Sequence, residues 1–82
     1  MNRVFLVYDI TNDKARTKIA DACQDYGLDR VQFSAFSGTL SRNRQEELML
    51  SIADILGDNT GNIKLIPICE PDWEKRLEID HA

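Results

Sequence analysis

The stretch VFLVYDITNDKARTKIADAC, residues 4–23, decides the fold. It opens on an apolar run that ends at Asp9. Thr11, Asn12 and Asp13 follow, each a residue type suited to an N-cap. Ala15, Ile19, Ala22, Cys23 and, just beyond, Tyr26 then recur at helical spacing and make one stripe. The reading is a strand over 3–10 and a helix stopped at Gly27. Alternation sends Val4, Leu6, Tyr8 and Ile10 to one face of the strand and Phe5, Val7 and Asp9 to the other, so both faces are apolar.

Working outward, RVQFSAFSGTL, residues 30–40, reads as a strand that bends into a second, shorter one. Ser41 or Asn43 opens a second helix with Leu48, Met49, Ile52, Ile55 and Leu56 on its inner face, and GDNTG, residues 57–61, ends it. NIKLIPIC, residues 62–69, is a further strand; Pro67 lacks an amide proton and so belongs at a sheet edge or an unpaired position. In DWEKRLEI, residues 72–79, the spacing of Trp73, Leu77 and Ile79 predicts a short closing strand. The order is β-α-β-β-α-β with an extra C-terminal strand. This is an α+β, ferredoxin-like arrangement in one domain over 1–82, an antiparallel sheet with both helices on one face. No layer is left to cover the second apolar face. The simplest cover is a second copy packed sheet to sheet about a two-fold axis, so a homodimer through the sheet face is expected.

At 82 residues, a single core supplies only about 3–5 kcal/mol of stability. Repeats, low-complexity tracts and linkers are absent. Cys23 and Cys69 fit no metal spacing and fall in apolar patterns, which predicts buried, reduced thiols in the cytoplasm. No apolar run is long enough for a membrane span and the N-terminus has no secretion-signal pattern, so the expectation is a cytoplasmic protein without a membrane partner. The net charge of −4 counts against indiscriminate nucleic-acid binding. Its distribution is uneven: residues 1–44 hold seven Lys/Arg and five acids, residues 45–82 three and nine. Such a chain can present a basic face despite an acidic total.

Asp9 has two readings. A carboxylate there favours the positive N-terminal end of the following helix, worth about 0.3–1 kcal/mol, and spacing alone ranks this reading first. Alternatively, in a two-fold dimer built on the Phe5/Val7 face, two Asp9 carboxylates approach each other and call for a cation between them. A hard ion such as Mg²⁺ suits one or two carboxylates and takes further ligands from water and phosphate, which gives a nuclease as a hypothesis. Arg16 falls at the flank of the helical stripe, where it can reach a phosphate or lie along the surface. Ser34 and Phe36 are equally open between site and ordinary strand positions, and His81 is given no role.

Together VYDITNDKARTKIADAC (7–23), YGLDRVQFSAFSGTL (26–40), IKLIPIC (63–69) and DWEKRLEI (72–79) resemble, in order and over most of the chain, the family of CRISPR-associated protein 2, the small subunit of the spacer-acquisition machinery. The resemblance implies a homodimer whose final strand, with the tail to residue 82, packs on the partner's sheet. It also implies a metal site, Mg²⁺ or Mn²⁺, shared by two copies of Asp9. Positions matching the family's functional residues are Tyr8, Asp9, Arg16, Arg30 and Phe36, and Lys18 stands where some relatives have Arg. The implied activities are a metal-dependent endonuclease on single-stranded RNA or duplex DNA, or a non-catalytic bridge between two dimers of the integrase subunit. In either, Lys14, Arg16, Lys18, Arg30, Arg42 and Arg44 are the basic residues expected to hold nucleic acid. A stand-alone RNA-recognition domain of the same element order is disfavoured, because no strand carries that motif's glycine and paired rings.

Overall fold

The computed structural model describes residues 2–81; Met1 and Ala82, the ends of the expected 1–82 domain, lie outside the described residues. Strand β1 (Asn2–Ile10) leads into helix α1 (Asp13–Asp25), then β2 (Asp29–Gln32), β3 (Ala35–Leu40), α2 (Arg42–Leu56), β4 (Gly61–Ile68) and α3 (Glu70–Glu74). All neighbours in the sheet are antiparallel, in the order β2-β3-β1-β4. The expected ferredoxin-like topology is therefore present.

Local chemistry sets each element. Asn12 caps α1, its side-chain oxygen accepting from the Ala15 amide at 2.8 Å, and Gly27 leaves the helix at φ 86°, a left-handed conformation that glycine adopts without strain. Ser41 caps α2 by accepting from the Arg44 amide. Pro67 lies on β4, an edge strand, as its missing donor requires. The turn between β2 and β3 falls at Phe33–Ser34, and the second of these strands is the longer.

The core lies between one sheet face and the two helices. Val4, Leu6, Tyr8 and Ile10 of β1 join Phe36 and Leu40 of β3 against Ala15, Ile19 and Cys23 of α1 and Leu48 and Ile52 of α2, all buried. Two buried polar side chains are satisfied: Gln45 donates to the Leu40 carbonyl at 3.1 Å, and the Ser37 hydroxyl to that of Val4 at 3.1 Å. The other sheet face carries Phe5 and Val7, half-buried, and Ile66 beside Phe5 at 46% exposure. Among the described residues no helix is long and apolar enough to cross a membrane.

The expected closing strand over 72–79 does not form. Residues 70–74 make the short helix α3 instead, with Pro71 in its first turn and Glu70 and Asp72 at its positive end. Residues 76–81 have no regular structure. A strand needs an edge to pair with, and the tail pairs with neither edge of its own sheet. Trp73 packs between Arg3 and Arg76, whose guanidinium carbons lie 4.6 and 4.2 Å from its ring centroid. Leu77 and Ile79 project at 98% and 89% exposure. Of the two cysteines, Cys23 is buried as expected, but Cys69 is exposed, at the start of α3.

Candidate nucleic-acid interface

The expected site residues divide between the two faces of the sheet. Asp9 ends β1 on the open face, exposed and opposite Asn62 of β4. Tyr8, one residue earlier, points to the helices and is buried; its hydroxyl approaches the Phe33 carbonyl at 3.5 Å. Phe36 is wholly buried and stacks on Tyr8, ring centroids 6.3 Å apart. With no exposed surface, its ring belongs to the core.

Arg16 and Arg30 meet on the helix side. Arg16 is anchored from two directions. One terminal nitrogen donates to the Ile10 carbonyl at 3.1 Å, closing off the end of β1, and the other pairs with Asp13. Arg30 pairs in register with Phe36, and its guanidinium lies 5.1 Å from that ring's centroid. A register shift between Arg30 and Gln32, a β-bulge or its equivalent, interrupts β2 here and re-aims its side chains. Among the described residues no carboxylate lies within salt-bridge distance of Arg30.

Sequence reasoning missed the residue that joins the two arginines. Phe33, at the β2–β3 turn, is 67% exposed, and Arg16 and Arg30 lie 5.5 and 5.7 Å from its ring centroid. Both distances are within cation–π range. The turn is tied to β1 by the Tyr8 amide, which donates to the Ser34 carbonyl at 3.1 Å, so it is the Ser34 backbone that holds this corner. Beside Phe33 a groove of about 220 Å³ runs along α1, lined also by Thr17, Asp21 and Gln24. The signal in the sequence is an aromatic residue at a turn between an arginine and a serine, and a continuous-strand reading hides it.

The other basic candidates lie elsewhere. Lys14 and Lys18 are exposed on α1. Arg42 and Arg44 open α2, where Glu46 and Glu47 partly neutralise them at 3.1 and 3.9 Å and Arg44 also covers the Tyr26 ring. Leu40, just before α2, pairs with Asn2 at the far end of β1 from Asp9, roughly 25 Å along the strand. They form a second, separate basic region.

For a divalent metal, one chain offers the Asp9 carboxylate alone at this place. Among the described residues no group of three or more His, Cys, Asp or Glu is arranged to hold an ion. The donor set fits Mg²⁺ or Mn²⁺ only as part of a pair, with water or phosphate completing the shell.

The profile of the family described as CRISPR associated protein Cas2 matches residues 1–76. The chain is 45% identical over 71 residues to CRISPR-associated endoribonuclease Cas2 2 of Chloroflexus aurantiacus, covering 87% of this chain and 84% of that one. It is 35% identical over 76 residues to a Cas1/Cas2 endonuclease fusion of Thermoproteus tenax, covering 93% of this chain and 29% of the fusion. A chain in the structure of a partial Cas6-RT-Cas1–Cas2 complex shares the fold, with a TM-score of 0.80 at 23% identity, covering 96% of this chain and 85% of that one. The chain belongs to the CRISPR-associated Cas2 family.

Proposed function

We propose that this protein acts in CRISPR spacer acquisition as a non-catalytic, DNA-binding dimer that bridges two dimers of the integrase subunit. The fusion of a Cas2 unit to Cas1 in one relative supports that partner. The observation that carries the reading is the division of the site: Arg16 and Arg30 lie on the helix side of the sheet and Asp9 on the open side. A nuclease needs phosphate-holding groups and the metal carboxylate to converge on one phosphodiester. A scaffold needs only a basic surface that grips the backbone of a duplex.

Dimerisation follows from the open sheet face and the tail. Phe5, Val7 and Ile66 would be covered by a second copy, and the exposed Leu77 and Ile79 would gain a partner's surface to pack on. Fully burying an aliphatic side chain is worth about 1.5–3 kcal/mol, so the two tail residues alone are a substantial drive to associate.

A metal-dependent endonuclease is the second reading, and one observation favours it: Asp9 is exposed on the face where a two-fold partner would present its own copy. A divalent ion held by the two carboxylates would supply an activated water and neutralise charge on the phosphate. In that reading Arg16 and Arg30 would orient the nucleic acid.

Sedimentation velocity and salt-dependent DNA binding test the scaffold. The expected particle is twice 9.4 kDa at micromolar concentration. The logarithm of its DNA affinity should fall linearly with the logarithm of salt concentration, and Arg30→Ala should reduce the slope by about one. A stable monomer or a flat salt response contradicts the proposal. Mg²⁺-dependent cutting of RNA or DNA that is lost in Asp9→Asn would move the assignment to the nuclease.

A further inference from the structure

We propose that Phe33 is a stacking platform for one unpaired nucleotide, so that this protein prefers DNA with a single-stranded end over a blunt duplex. The inference rests on the DNA-binding reading above and specifies what one part of that surface takes. An aromatic ring at a turn tip, 67% exposed, presents a flat apolar surface that water solvates poorly. Any nucleobase can cover such a surface, because every base has a π-face. Inside an intact duplex both faces of each base are occupied by neighbours, so only an unpaired or terminal base can stack on it.

The flanking charges fix what lies on either side. Arg30 has no carboxylate partner among the described residues, which leaves its guanidinium free to take the phosphate adjoining the stacked base. Arg16 is already committed to the Ile10 carbonyl and Asp13, so it stiffens the platform and adds positive potential. The groove running from Phe33 along α1 carries Thr17 and Gln24, donors and acceptors of the kind that meet a base edge. Asp21 on the same wall repels phosphate. The base therefore enters the groove and the backbone stays on the Arg30 side.

The test compares two DNA ligands with equal phosphate counts, a blunt duplex and a duplex with single-stranded ends, binding the full-length protein at one salt concentration. A 2-aminopurine in the single-stranded segment reports stacking through quenching. Wild type should bind the overhang DNA about five- to a hundredfold more tightly than the blunt one, the range that stacking of one base supports. Phe33→Leu should bring that ratio close to one and abolish the quenching, and Phe33→Trp should restore both. The proposal is overturned if wild type shows no preference, or if Phe33→Leu keeps it. Binding to neither DNA would sink the scaffold reading along with it. If Phe33→Leu leaves the preference intact but abolishes binding to the integrase subunit, the ring is a protein contact instead.

Discussion

Phe36→Ala is the perturbation that separates core from site most sharply. Phe36 is among the largest side chains with no exposed surface, stacked on Tyr8 and lying beneath the Arg30 guanidinium. Truncating a buried phenylalanine costs about 3–5 kcal/mol through lost burial and the cavity left behind. A domain of this size has on the order of 4–12 kcal/mol in total, so the loss is a large share of it. At about 4–8 °C per kcal/mol, Tm should drop by at least about 12 °C. The assay is thermal melting by circular dichroism at one fixed protomer concentration, since association raises apparent stability. Phe36→Leu keeps much of the volume and should melt well above the alanine variant while still binding DNA. If Phe36→Ala melts within about 3 °C of wild type yet has lost DNA binding, less than the shift of even 1 kcal/mol, the ring is a ligand contact and its assignment to the core is wrong.

Three further outcomes are expected. Gly61→Ala should destabilise by about 1–3 kcal/mol in urea titration, because a Cβ there would lie 2.8 Å from the Asp9 carbonyl oxygen and 2.9 Å from Ile10 Cγ1, prising β4 from β1 beside Asp9. Iodoacetamide should modify Cys69 and spare Cys23 in the native protein, as read by mass spectrometry, since the first is exposed and the second buried. Burial pushes the Cys23 thiol from 9.0 up to about 12, with nearby Arg30 opposing it weakly. The neutral thiol therefore contributes stability that is complete below pH 9 and lost as pH rises toward 12, and in Cys23→Ala the urea midpoint should fall less over that window.

The first sixty-eight residues were legible because their signals are local. Two-residue alternation in β1, the Asn12 and Ser41 caps, the Gly27 stop and the edge placement of Pro67 each follow from one residue's chemistry in its own neighbourhood. The tail misled for the opposite reason. Trp73, Leu77 and Ile79 alternate like a strand, but a strand is a relation to an edge, and within one chain the Pro71 turn and Trp73–Arg3 packing win. Phe33 was hidden by register. A continuous strand over 30–40 puts Phe33 and Phe36 on opposite faces, whereas the turn at 33–34 and the shift between Arg30 and Gln32 bring both rings to Arg30. Asp9 was visible from its position, but alternation alone gave its face and not its distance from the arginines' surface.

The most direct measurement is spacer integration in vitro by the integrase subunit, with DNA ends supplied and this protein added as wild type or Asp9→Asn. The scaffold account predicts equal integration, because bridging uses the dimer and its basic surface and not the carboxylate. Integration abolished in Asp9→Asn, by a protein that still dimerises and binds DNA as wild type does, would contradict it.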